Sequence, residues 1–457
     1  MPQPYRTLDN LRVALSDCLR FDRGVQVTDP GAFTAKLLDN LVRTAVFAED
    51  PPLRDTARWI IRAAAADLGA HPASIQGLYE AIASGKARGF TVPAHNLRGM
   101  IYDKARAIFR AAKALDAGAF IFEISRTEMG YCFVPPAEYS ACILGAAVRE
   151  GHRGPVFIQG DHFQFSAREY FQDPGSVTET IKKATAEALD AGFLNIDIDP
   201  STLVVLDRPT VKEQQRDNYE RAAEMTEFIR KRQPAGVDVS VGGEIGEVGK
   251  KNSTVEEFEA YFEGYRERWS GKPISKMSVQ TGTSHGGVVR PDGTREEAAI
   301  DFAVLRDITA ACRARGLAGT VQHGASTLPE RLFPEFPRHD AVEIHLATEF
   351  QRIVLDHPEF PRELRAKLEG WIEETRPPEW KADATKAQNF EKCAKRTWGP
   401  FKKELWSLPP AAHEAIVMAL EAKFRAIFTH LNVKGTRAIV AEHVKTVPVL
   451  PPKPQGL

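Results

Sequence analysis

PVFIQGDH, residues 155–162, is a short, nearly continuous apolar run that ends on an aspartate and a histidine; FLNIDID, residues 193–199, repeats that texture after an amphipathic stretch near 176–191. A strand buried on both faces reads this way, and a crossover helix between two such strands implies a parallel pair. Upstream the same alternation appears as FTVPA (90–94) with a helix near 101–117, then AFIFEIS (119–125) with a helix near 137–149. Downstream it continues with a helix near 211–232, VDVSVGGEIG (237–246), a helix near 254–268, SKMSVQTG (275–282), a helix near 297–315, GTVQHGAS (319–326) and AVEIHLAT (341–348). Eight strands spaced by crossover helices predict an α/β fold of the (β/α)8 TIM-barrel kind rather than an open doubly wound sheet. No G-x-G-x-x-G follows the first strand, which argues further against a dinucleotide-binding sheet.

Outside this core the periodicity becomes helical. Residues 8–83 repeat apolar positions at three and four, broken at Asp29-Pro30, Asp50-Pro51-Pro52 and His71-Pro72, and helices recur near 361–374, 383–396 and 410–431 before a Pro-rich tail. The chain therefore divides into an N-terminal helical extension (1–84), a barrel (85–358) and a C-terminal helical extension with its tail (359–457). The extensions are expected to cap the barrel or to serve a homo-oligomer, dimer or larger. Trp398, Phe401 and Trp406 read as a packed helix face or subunit contact rather than a ligand cage.

With 60 basic and 61 acidic residues the formal net charge is −1, so no global field recruits nucleic acid or an anionic membrane, and any anion site must be local. The five cysteines are scattered without C-x-x-C spacing, which argues against a disulfide framework. No apolar run is long enough for a membrane span and the N-terminus lacks the pattern of a secretory signal, so a cytoplasmic protein is expected.

Polar residues collect at the strand ends: Asn96, Ser125, Asp161-His162, Asp199, Glu244, His285, His323 and Thr348. In a parallel barrel those ends open on one face, where barrel enzymes keep their active sites. Three imidazoles from separate strands (His162, His285, His323) leave a tetrahedral position open, as a catalytic rather than a structural Zn²⁺ requires.

These segments resemble the class II fructose-bisphosphate and tagatose-bisphosphate aldolases, from about Ile75 to Gln351. The likeness rests on VPAHN (92–96), FEIS (122–125), GDH (160–162), DPS (199–201), GGEIG (242–246), GTSHGG (282–287), HGAS (323–326) and IHLATEFQ (344–351), in that order. The resemblance implies a zinc-dependent lyase that splits a ketose phosphate such as fructose 1,6-bisphosphate into dihydroxyacetone phosphate and an aldehyde. His162, His285 and His323 would hold the metal with Glu244 as an alternative ligand, and Asp161 would move a proton at the aldehyde oxygen. Asn96, Ser125, Gly286, Ser326 and Thr348 would meet the substrate, and Asp199 would serve a secondary cation or support the ligands.

The chain departs from the family in two places. The last-strand segment, Asn-x-Asp-Thr-Asp in the family, here carries His345, Ala347, Thr348 and Glu349, which makes His345 a candidate substrate contact, proton shuttle or extra ligand. The family's longer loop with its proton-abstracting glutamate is reduced to Glu247, our candidate base, while Glu256 and Glu257 are expected on a solvated helix face. Two other readings stay open: a metal-dependent isomerase, epimerase or hydrolase on the same barrel, and a non-catalytic aldolase-like subunit.

Overall fold

The computed structural model describes residues 2–21, 24–245, 251–282, 290–291, 299–325 and 328–454. Eight parallel strands form the core: β1 (Val92–Asn96), β2 (Ile121–Ser125), β3 (Gly154–Gln164), β4 (Asn195–Asp199), β5 (Ser240–Glu244), β6 (Lys276–Val279), β7 (Thr320–Gln322) and β8 (Glu343–Leu346). Each pairs with the next, and β8 pairs back onto β1 with Glu343 opposite Val92, so the sheet closes into a (β/α)8 barrel. All eight strands read from the sequence are present.

The helices follow local signals. Asp173 caps Pro174–Asp190 by accepting from the backbone of Ser176, with proline in the first turn. Thr254 and Glu257 form a reciprocal capping box on Val255–Arg268. Glu257 is therefore buried at 3% exposure and not part of a solvated face; Lys251 lies 2.7 Å from its carboxylate. The helix expected over 211–232 splits into Val211–Gln214 and Arg216–Arg232, where Asn218 donates to Gln215 Oε1 and to the carbonyl of Glu244 at the end of β5.

Ala70–Ala73 is a strand where the sequence read only a helix break. It pairs in parallel with the first residues of β3, alongside β2 on the other edge. Proline 72 cannot donate to a ladder, but a strand paired on one side only tolerates it.

The barrel interior is charged. Lys276, 1% exposed, donates to Gln159 Oε1 (2.8 Å), lies 3.0 Å from Asp197 Oδ1, and also donates to Glu343. A buried ammonium needs such partners to offset its lost hydration. Gly242 makes the space: a Cβ there would lie 2.2 Å from Asp197 Oδ1 and 2.9 Å from Lys276 Cε. Tyr79, from helix Gln76–Ala83, donates to Glu343, the first residue of β8, so the N-terminal extension plugs that end of the barrel. Among the described residues no helix is long and apolar enough to cross a membrane.

Candidate active site

The register of the strands brings distant polar residues level: Asn96 faces Glu123, Ser125 faces Asp161, and Glu244 faces Ser278. At the end of β3 the pairing with β4 slips between Gly160 and Phe163, a bulge that turns one side chain out of the regular alternation. The side chain so turned is His162, whose φ of 42° lies in the left-handed region that non-glycine residues avoid. Backbone strain of this kind persists where packing and function over-determine it.

His162 Nδ1 lies 3.0 Å from Asp199 Oδ2 and 3.3 Å from Glu244 Oε2, while Nε2 lies 3.7 Å from Asp161 Oδ1. Its ring centre is 4.2 Å from that of His323, whose Nε2 sits 2.8 Å from Ser278 Oγ. One ligand atom from each of Asp161, His162 and His323 lies within 4.8 Å of the others; the same holds for His162, Asp199 and Glu244. Asp199 is held by Ser201 and Gln164, whose side chains donate to it at 2.6 and 2.7 Å. Supporting hydrogen bonds of this kind orient metal-binding groups.

Burial opposes charge on His162, but the carboxylates of Asp161 and Glu244 outweigh it and hold the imidazole well above its ordinary range. Burial, with the charge of Asp199, pushes Glu244 up to about 7. Asp161 stays below the usual carboxylate range despite burial, because His162 and His345 face it. The cluster thus favours positive charge among its carboxylates, as a divalent cation supplies.

His345 lies against the same centre, its ring 4.3 Å from that of His323. Its Nδ1 is 3.1 Å from both Asp161 Oδ1 and Glu123 Oε2, and its Nε2 is 2.6 Å from Glu343 Oε1. Carboxylates on both nitrogens outweigh burial and raise its pKa well above the ordinary value. His345 therefore couples the site to the charged barrel interior.

Asn96, Ser125, Asp161, His162, His323, His345 and Thr348 line one cavity of about 400 Å³ at the strands' C-terminal ends. Ser125 also caps helix Arg126–Cys132: its hydroxyl accepts from the Glu128 backbone, and Glu128 in turn accepts from Asn96 (2.6 Å) and Arg98 (2.7 Å). Glu244 and Asp199 stand behind His162 rather than in the cavity wall. Glu247, His285, Gly286 and Ser326 lie outside the described residues.

The sequence of residues 77–398, well over half of the chain, matches the family described as fructose-bisphosphate aldolase class-II. The chain belongs to that class II aldolase family. No curated relative matches it significantly. Among solved structures similar to this aldolase-family chain are the fructuronate-tagaturonate epimerase UxaE of Cohnella laeviribosi (12% identity, TM-score 0.58, 92% of this chain and 90% of that one) and the fructose-bisphosphate aldolase of Campylobacter jejuni (15%, 0.47, 80% and 96%). The YdjI aldolase of Escherichia coli K12 is similar at 13% identity, with a TM-score of 0.45 over 79% of this chain and 98% of that one. At such identities the likeness concerns the fold.

For an aldolase-family barrel, two groups of residues in and around the cavity went unread in the sequence. Glu123 and Glu343, like Lys276 and Asp197, sit inside strands buried on both faces; an ionisable residue in such a strand is itself a signal, since burial without a partner is costly. Glu379, Glu391, Lys392 and Lys395 reach the cavity from the C-terminal extension. No local pattern announces them, because only the tertiary path of 376–398 carries them there.

Proposed function

We propose that this protein is a metal-dependent aldolase that reversibly cleaves a ketose phosphate into dihydroxyacetone phosphate and an aldehyde. The observation that carries the reading is the convergence of Asp161, His162 and His323, with ligand atoms within 4.8 Å of one another, at one end of a cavity of about 400 Å³. Imidazole nitrogens and carboxylate oxygens are the donors a Zn²⁺ site uses, so the residues present fit the metal on which this family generally depends. His162 and His323 would hold it together with His285, and Glu244 offers an alternative oxygen. When bound, the metal supplies a Lewis acid that stabilises negative charge developing on the substrate carbonyl oxygen.

The chain's own residues supply the rest. Asp161, 5% exposed and beside the metal position, gives a proton to the aldehyde oxygen as the C–C bond forms and takes it back in cleavage. His345 holds Asp161 Oδ1 from the opposite side at 3.1 Å, and Asn96 Nδ2 approaches Asp161 Oδ2 at 3.5 Å. Both fix where the carboxylate points. Glu247 is the proposed base at the substrate carbon, and Gly286, Ser326 and Thr348 the proposed phosphate contacts.

A second reading is favoured by Glu379, Glu391, Lys392 and Lys395, which add a wall from the C-terminal extension to the cavity. In a 2-ketose the C3–C4 bond is the one a retro-aldol step breaks; rejoining the fragments on the other face of the aldehyde inverts C4. An enclosed site that retains both fragments would therefore be a C4 epimerase, and the similar structure that spans 92% of this chain, extensions included, is described as an epimerase of two ketouronates.

The experiment is a panel of ketose phosphates and ketouronates incubated with metal-loaded and chelated protein, with aldehyde release and C4 epimer formation both followed. Triose release that needs metal supports the aldolase; epimer without free aldehyde supports the second reading. Full turnover by metal-free protein discards both.

A further inference from the structure

We infer that the outer wall of the cavity, built by Lys392 and Lys395 of the C-terminal extension, binds an anionic group at the end of the substrate remote from the reacting carbonyl. The inference rests on the retro-aldol reading above for its substrate, and it adds a recognition site carried by the C-terminal extension.

The cavity is polarised. Its floor carries the imidazoles and carboxylates of β2, β3, β7 and β8, an environment that holds a cation and the neutral hydroxyls of a sugar. Its rim carries Lys392 and Lys395 together with Glu379 and Glu391. Lys395 Nζ lies 3.0 Å from Glu379 Oε1, but Arg396 takes the same carboxylate in a two-pronged grip, Nη2 at 2.7 Å and Nε at 3.1 Å. One carboxylate between two cations leaves positive charge uncompensated, and Glu379 sits below its usual range, against burial, because of those cations. Arg98, also on the wall, is matched by Glu128 at 2.7 Å, and Glu391, which shares the rim with Lys392, lies 3.8 Å from Arg352, so the surplus is local to Lys395 and Arg396.

The wall is fixed in place and not draped over the mouth. Trp398 is 1% exposed and donates through Nε1 to Gln351 Oε1 (3.0 Å), a residue that itself lines the cavity. Its ring fills the space left by Gly99, where a Cβ would lie 2.1 Å from Cε3. Thr385 Oγ1 donates to the carbonyl of Pro291 at 2.7 Å, tying the segment to the β6–β7 connection. A lysine pair held on such a frame meets a carboxylate or phosphate without first being ordered, which is what makes a recognition contact selective.

The test pairs Lys392→Gln/Lys395→Gln with Lys392→Arg/Lys395→Arg, each assayed with a 2-ketohexose 1-phosphate, whose far end is neutral, with the 1,6-bisphosphate, and with a neutral 2-ketohexose beside the matching 2-ketouronate. We expect the kcat/KM preference for a charged over a neutral far end to fall about tenfold or more in the Gln variant and to survive in the Arg variant. Whether the phosphate or the uronate series loses the preference identifies the anion. Calorimetry with inorganic phosphate and with D-gluconate runs beside it and needs no turnover. If no ketose reacts, the retro-aldol reading fails, and the rim is judged by whether the Gln variant alone loses anion binding. An unchanged preference, or equal anion binding by wild type and both variants, overturns the inference.

Discussion

Asp161 and His162 are neighbours in sequence, yet the bulge after Gly160 sends them to different tasks. His162, at φ 42°, turns towards Asp199 and Glu244, while Asp161 keeps the regular inward alternation and faces His345. This separation argues that the two can be disabled independently. Asp161→Asn keeps the size and the hydrogen-bonding shape but cannot carry the proton, so we expect metal content to stay within experimental error of wild type while turnover falls about 10²- to 10⁴-fold. Elemental analysis alongside a cleavage assay checks this; loss of metal in the Asn variant would instead make Asp161 a ligand. The aspartate-histidine pair was legible in the sequence because GDH closes an apolar run. The strain at His162 was not, since a bulge depends on the register between β3 and β4, which no single strand encodes.

The strands were legible as elements because each is a short run bounded by turn residues, and their burial on both faces shows as continuity of apolar side chains. Ala70–Ala73 escaped because its pairing partner lies some 80 positions on, at Gly154–Phe157, and its proline reads locally as a break. Helix Ile101–Leu115 hides a different feature: Lys104 is 1% exposed, with its ammonium 4.4 Å from the centre of the Trp398 ring. Burial pushes its pKa down to about 7, with Cys132 and Arg98 acting in opposite directions as lesser influences. Because the folded value lies below the ordinary 10.5, the lysine costs no stability above that pH. Stability then falls as the pH drops towards about 7, and no further below it. Lys104→Met should therefore raise stability at pH 6.5, by up to about 5 kcal/mol at about 1.4 kcal/mol per pKa unit, with the advantage shrinking as the pH rises towards 10.5. Urea melts at several pH values measure it, and a pH-independent difference would show that the lysine keeps its ordinary pKa, and so its charge, in the folded protein.

At the scale of the whole molecule, one cavity is assembled from both ends of the barrel region and from beyond it: Asn96 stands on β1, His345 on β8, and Lys395 about fifty residues later. The barrel was readable from its alternating strands and helices and the polar face from the strand ends, whereas the outer wall was not, because its residues reach the cavity through the anchoring of Trp398 and not through any motif of their own. The same dispersion makes the proposed metal a cross-link between β3 and β7, strands separated by some 160 positions. A ligand that binds only the folded state stabilises it by about 2.7 kcal/mol when present at a hundred times its dissociation constant. Zn²⁺ should consequently raise the melting temperature of chelator-treated protein, reversibly and in proportion to the logarithm of its free concentration. His323→Ala should abolish that rise, although it removes only a single imidazole 6% exposed at the end of β7. A melting temperature indifferent to metal in the wild-type protein, or a rise equal in the His323→Ala variant, would mean that the rings of His162 and His323 meet without sharing a cation.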